Sequence, residues 1–352
     1  MRHIIHERPG VYSSYDASST VRAGRAARTI GVAAKSTAGT PNRCVVLTSY
    51  EAGLSAFGED AAGAPGMSAM LRLLFLGGAS VVAAVAVEGE DYAAAFAALQ
   101  TEEDVQVVVC DSGDLAVQQA LRASLESACE ARRERVAVVG MDGASIEELT
   151  GRAKALNSER VVLVGPDALD SAGTPLPGMF AAAAVAAALA LTRDPAVPIN
   201  GTELRGLGGV SEAYGDNEID RLVQGGVTPL EAVGGEVSPV RGITTRTATG
   251  GAPDSTWREL TTILIVDEVI PSIRRSLRSR FSKAKNTAQT RGAIRSQVIV
   301  ELESKLRAEV IDSYGDVTVS VCEDDPTVCL VEFSFAVAHG LNQIYLTAHI
   351  TI

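Results

Sequence analysis

Residues Val105–Gly165 read VQVVVCDSGDLAVQQALRASLESACEARRERVAVVGMDGASIEELTGRAKALNSERVVLVG. Three short Val-rich runs, Val105–Cys110, Arg135–Gly140 and Arg160–Gly165, are separated by segments with helical patterning at Leu115–Arg133 and Ser145–Leu156. The apolar runs do not alternate with polar residues, so both of their faces must be buried. Repeated apolar strand and polar helix describe a mostly parallel sheet covered on both sides.

The same rhythm extends towards the N-terminus. Thr29–Ala34, Cys44–Thr48 and Ser80–Val87 read as strands, and Gly66–Leu76 and Asp91–Leu99 as helices. Beyond the opening stretch, Gly178–Thr192 is an Ala-rich helix suited to close packing, and Asp216–Gln224 is a short helix. Val240–Thr249 has β-rich composition, and Gly250-Gly251-Ala252-Pro253-Asp254 marks an internal boundary. After it the composition predicts a strand over Glu259–Asp267 and helices over Val269–Phe281 and Arg291–Ser313, with a turn at Lys285–Gln289. Val317–Val321 and Val328–Val337 then form a strand pair. The fold class is α/β (α+β), with mixed or mostly parallel sheets flanked by helices.

Composition narrows the function. A chain of 352 residues with 46% apolar content builds substantial cores, and its net charge of −12 argues against a general DNA or membrane binder. Aromatics are only 4%, too few for base-stacking platforms. Cys44, Cys110, Cys129, Cys322 and Cys329 include no CxxC pair and read as reduced core thiols. The N-terminus lacks an apolar secretory region. The longest apolar run, Met179–Leu191, falls short of the roughly 20 residues that span a bilayer. A soluble protein made in a cytoplasm is expected.

An α/β sheet invites a nucleotide-enzyme reading. Gly140-Met141-Asp142-Gly143 follows a strand, yet there is no GxGxxG, GxxxxGK[ST] or GxSxG. Asp111, Asp142 and Asp167 follow strands, where carboxylates serve either as metal ligands or as helix caps. His3, His6, His339 and His349 lie near the chain ends. No catalytic constellation, cofactor site or metal site assembles, so an enzyme is not expected.

Charge singles out Ser272–Gln297, which carries Arg274, Arg275, Arg278, Arg280, Lys283, Lys285, Arg291 and Arg295 and no carboxylate. Ile273, Leu277 and Phe281 share one helical face beside these cations. Three readings stand: a solvated basic surface, a dock for nucleic acid, and a dock for an acidic protein surface. The chain ends have strand character. Residues 1–24 read as an extended arm with Arg8-Pro9-Gly10 followed by Val11, Tyr12 and Tyr15. In Gln343–Ile352, Ile344, Leu346, Ala348, Ile350 and Ile352 point one way, as in an internal edge strand or an arm that adds to a neighbour's sheet.

Taken in order, these parts resemble contractile tail sheath proteins of phages, phage-tail-like bacteriocins and other contractile injection systems. The resemblance rests on Pro9-Gly10-Val11-Tyr12, the Pro198–Gly201 turn after the Ala-rich helix, Glu218–Gly225 with Gly226-Val227-Thr228-Pro229, the strand-like Val240–Thr247, and Trp257-Arg258-Glu259-Leu260. It implies an arm over 1–24, an outer α/β domain over 25–250, an inner tube-facing domain over 251–342 and a β-arm over 343–352. It implies hexameric rings stacked around an inner tube, linked by strand exchange of arms containing Gly10, Val11, Tyr12 and Tyr15 at one end and Ile344–Ile352 at the other. The tube-facing role would fall to Arg274, Arg275, Arg278, Arg280, Lys283 and Lys285. Implied partners are further copies of the chain, the tube protein, and baseplate and terminator proteins, without nucleic acid or membrane insertion. Assembly in a bacterial cytoplasm into a virion tail or an extracellular particle is implied too. The alternative is an α/β nucleotide-binding protein or enzyme with its site after Asp111, Gly140 or Gly165.

Overall fold

The computed structural model describes residues 28–61 and 63–342. Strands β1 (Thr29–Ala34) and β2 (Cys44–Leu47) come first, followed by helices α1 (Tyr50–Phe57) and α2 (Met67–Leu76). Strict alternation follows: β3 (Val82–Ala86), α3 (Tyr92–Leu99), β4 (Val105–Cys110), α4 (Leu115–Glu130), β5 (Val136–Val139), α5 (Ile146–Leu156) and β6 (Val161–Gly165). The two-residue β7 (Ala168–Leu169) precedes α6 (Gly178–Leu191) and pairs with β8 (Gly209–Val210). Helix α7 (Asp216–Gln224) leads into the hairpin β9 (Val227–Val233) and β10 (Glu236–Pro239), turned at Gly234-Gly235. A minimal ladder of β11 (Ala248–Thr249) and β12 (Ala252–Pro253) precedes the last unit. That unit holds α8 (Leu260–Phe281), α9 (Ala288–Arg307), β13 (Ile311–Tyr314), β14 (Thr318–Val321), β15 (Cys329–Glu332) and β16 (Phe335–Val337).

Eight strands form one sheet in the order β10-β9-β6-β5-β4-β1-β3-β2. Every internal pairing is parallel, and only the edge strands β2 and β10 run antiparallel. Strands β3, β5 and β6 are buried at every residue, as their unbroken apolar runs require. Helices α1, α2 and α6 cover one face, and α3, α4, α5 and α7 the other. Helix α6 is buried from Gly178 through Ala190; a helix that is apolar all round belongs in an interior, and alanines let it lie close to β4 and β5.

Four expectations need correction. Glu259–Asp267 is not a strand: after the N-cap Glu259, it forms the first turns of α8. Its Ile and Val residues favour strand, but their helical spacing serves two cores. Leu260, Ile263 and Leu264 join the core beneath the sheet, while Ile265, Val269 and Ile273 join a third core with α9 and β13. Two-sided burial along one helix outweighs local propensity. Pro271 sits inside this helix and withdraws the amide that would have bonded to Asp267 O.

Val240–Thr249 is mostly irregular, with only Ala248 and Thr249 in a named strand. Threonines meet the backbone's hydrogen-bonding needs in place of a ladder. Thr228 Oγ1 bonds to Ile243 at both N and O, Thr244 Oγ1 donates to Trp257 O, and Thr245 Oγ1 donates to Ser158 O. The predicted helix Arg291–Ser313 starts at Ala288 and stops at Arg307; Glu309 takes a left-handed φ of 55° and turns the chain into β13. Val328–Val337 is two strands: β15 pairs with β14, and β16 with β13. Its alternation does place Val331, Phe333, Phe335 and Val337 against the third core.

Candidate functional site

The connections after β1 and β4 leave on opposite faces of the sheet, which opens a crevice between the ends of these strands, the usual ligand position in such folds. The crevice encloses about 920 Å3 and is lined by Lys35, Asp60, Tyr92, Asp111, Asp142 and Arg152, among others. A phosphate would need free amides there, and the chain fills them with its own carboxylates. Asp60 accepts from the amides of Gly66, Ser68 and Ala69 at 2.8–3.0 Å, occupying the N-terminus of α2. Asp111 accepts from Lys35 N at 2.8 Å and from Tyr92 Oη at 2.7 Å. Asp142 accepts from Gly178 N at 2.7 Å, at the start of α6, and Asp167 from Gly143 N at 2.6 Å. Asp111, Asp142 and Asp167 each accept a backbone amide, and of these only Asp142 meets a helix terminus. Burial pushes Asp111 and Asp167 above the usual carboxylate range, against the pull of these donors.

The Gly140–Gly143 turn also has a packing role. A Cβ on Gly140 would come within 2.2 Å of Gly178 O, so the glycine admits the start of α6 to the end of β5. Gly143 supplies a left-handed φ of 56°. Among the described residues, no group of three or more His, Cys, Asp or Glu is placed to hold a metal ion, and no helix is long and apolar enough to cross a membrane.

The cationic stretch forms the far end of α8 and the start of α9. Ile273 is buried and Leu277 and Phe281 half-buried, so the helix pair projects progressively beyond its core. Arg275, Arg278, Arg280, Lys283 and Lys285 are exposed, and none forms an ion pair with a described residue. Arg274 differs, because its guanidinium meets Glu134 at 2.7 Å. Arg291 donates to Asn286 Oδ1 and Arg295 to Val317 O, so these two also bind inside the fold. The base of α8 is held to the sheet by the Arg160 guanidinium, which grips both oxygens of Asp267 at 2.8 and 3.0 Å with both side chains largely buried. Glu268 pairs with Lys305 of α9. Sequence spacing gave no sign of the Arg160–Asp267 or Arg274–Glu134 pairs, whose partners lie 107 and 140 residues apart. Gly10, Val11, Tyr12, Tyr15, Ile344, Leu346, Ala348, Ile350 and Ile352 lie outside the described residues.

The chain is 31% identical over 252 residues to the tail sheath protein of Bacillus phage SP01, covering 70% of this chain and 43% of that protein. It is 27% identical over 192 residues to the tail sheath protein of Mycobacterium phage Bxz1, covering 49% and 33%. The matched region thus spans less than half the length of these curated relatives. In fold it is similar to a chain of the anti-feeding prophage baseplate, with a TM-score of 0.73, 17% identity and coverage of 99% and 100%. It is also similar to a sheath tail protein from Listeria innocua, with a TM-score of 0.72, 12% identity and coverage of 89% and 92%. The family model of the phage tail sheath protein central domain matches residues 86–245, and that of the phage tail sheath C-terminal domain matches residues 252–351. Matched in this order over the sheet from β4 onward and the α8–α9 unit, and 31% identical over 70% of its length to a tail sheath protein, the chain belongs to the phage tail sheath family.

Proposed function

We propose that this chain is the structural subunit of a contractile sheath, which polymerises as stacked hexameric rings around an inner tube and shortens to drive that tube through a target envelope. Family membership supports the assembly role, and the observation that carries the tube contact is the α8–α9 tip with its five cations that pair with no described residue. In this reading residues 25–250 form the outer body and 251–342 the inner, tube-facing part. Arg275, Arg278, Arg280, Lys283 and Lys285 meet acidic tube residues, with Arg274 steadying the helix from behind. Each exposed pair is worth only about 0–1 kcal/mol, which suits a grip made of many weak contacts and released together.

The arms, 1–24 and 343–352, add strands to neighbouring subunits. Backbone pairing gives affinity and alternate apolar residues such as Ile344, Leu346, Ile350 and Ile352 set register. Contraction is then a switch between two packings of one assembly and consumes no nucleotide. Baseplate and terminator proteins complete the particle, which assembles in the bacterial cytoplasm. A fold relative, the anti-feeding prophage sheath, is known in a contracted state.

Negative-stain microscopy of the concentrated protein tests this reading. Tubes are expected from the full chain, and folded monomers from a variant lacking Gln343–Ile352. Monodisperse particles from the full chain at all concentrations would count against polymerisation. Charge reversal at Arg275, Arg278 and Arg280 is expected to abolish assembly on the tube; intact extended sheath would exclude these residues from the grip.

A further inference from the structure

We infer that residues 189–200 form one bracket that anchors the roots of both terminal segments, so that a pull on one is delivered to the other across a dozen residues. Its purpose rests on the strand-exchange reading above, but its geometry does not.

The N-terminal root is Arg28. Its amide donates to Ala190 O at 3.1 Å, and its Nη1 donates to Leu189 O at 2.8 Å and Thr192 O at 2.7 Å. These carbonyls lie at the end of α6, where no further turn of helix supplies donors. A guanidinium there fills them and faces the negative end of the helix dipole. The C-terminal root lies a few residues along the same connection. Gly340 runs so close over Pro198 that an added Cβ would approach the ring to 2.2 Å, and Asn200 Nδ2 bonds to Asn342 Oδ1 at 3.0 Å.

Between the roots the bracket is tied to the body. Ile199 is buried under the sheet, and Ala196 packs against the third core. Asn200 Oδ1 accepts from Gly242 N at 3.0 Å, and Gly201 N donates to Pro239 O of β10 at 2.8 Å. Behind it stands α6, buried along almost its whole length. Load applied at the two chain ends therefore meets Leu189–Asn200 before it reaches the strand pairings of the sheet.

Constant-force pulling on the full chain tests this, with ligation tags inserted at Gly24 and Gln343. Arg28→Ala removes two charge-assisted bonds and is expected to speed opening in this geometry about 10-fold or more, and Asn342→Ala, at the other root, about 3-fold. With tags instead in the open turns at Gly89 and Gly234, the same variants are expected to change the rate by no more than about 2-fold. Arg28→Lys, which keeps the charge, separates loss of the contact from failure to fold, and is expected to fall between wild type and Arg28→Ala. Equal acceleration in both geometries, or none in the first, overturns the bracket. A wild-type chain that forms no tubes would instead sink the assembly reading and leave the pulling result standing.

Discussion

Alanine at Gly140 separates a packing turn from a phosphate loop. The added Cβ would sit 2.2 Å from Gly178 O and 2.4 Å from Gly178 C, where ordinary contact starts at 3.4 Å, so a backbone must yield by about 1 Å. Neither side yields easily. Gly140 continues a buried strand, and Gly178 begins a helix buried through Ala190. Movement would disturb the 2.7 Å bond from Gly178 N to Asp142 and the 2.7 Å bond from the buried Gln118 side chain to Gly140 O. Overpacking costs about 1–3 kcal/mol and each weakened bond about 1 kcal/mol, for a total near 3–5 kcal/mol. Against a domain stability of about 5–15 kcal/mol this is a large loss. Urea unfolding read by circular dichroism measures it, with Gly143→Ala as the control. That residue has a left-handed φ but open space around it, so only backbone strain of about 1–2 kcal/mol is expected. If Gly140→Ala proved no more destabilising than Gly143→Ala, the close approach of β5 and α6 would not be what Gly140 is for.

The Arg160–Asp267 pair should behave as a buried unit: Arg160→Met alone should cost about 3–5 kcal/mol, and adding Asp267→Leu should recover most of it in a double-mutant cycle. Additive losses would mean that the two groups do not depend on each other. Burial pushes the Cys110 thiol up to about 12 from an ordinary 9, so the unfolded chain loses its proton first. Its own contribution should therefore be constant well below pH 9 and fall between pH 9 and 12, by about 1.4 kcal/mol at pH 10, and Cys110→Ala should remove this component. An identical slope in both proteins would contradict it. In thiol labelling of the native protein at pH 8, the partly exposed Cys322 and Cys329 should react well before Cys110; simultaneous reaction would signal opening of the sheet.

The parallel sheet was legible because strands buried on both faces must be apolar throughout. Val161–Gly165 and Val136–Val139 could hardly be anything else. Helix α5 was legible from the patterning of Ser145–Leu156, and the structure adds a reciprocal cap between Ser145 and Glu148. Helix α1 went unread: Ser49 caps it, but Ala52 stands where a Glu or Gln would complete the reciprocal pair. Residues 259–267 misled because β-branched residues express a local preference, while the helix is imposed by two cores that sequence spacing does not reveal as separate. The cationic run was plain as a run. Which cations stay unpaired was not, since the partner of Arg274 is Glu134, which belongs to a different layer of the fold.

Helix α8 is rooted in the core beneath the sheet at Leu260 and carries, at the other end, cations that pair with no described residue. Its 22 residues make a rod of about 33 Å. Turning the body by about 10° would swing the far end of such a rod by about 6 Å. An ion pair is lost well within that distance. In the grip proposed above, a modest tilt of the subunit would be geared up into a complete loss of contact at the tip, a release sharper than the motion that causes it.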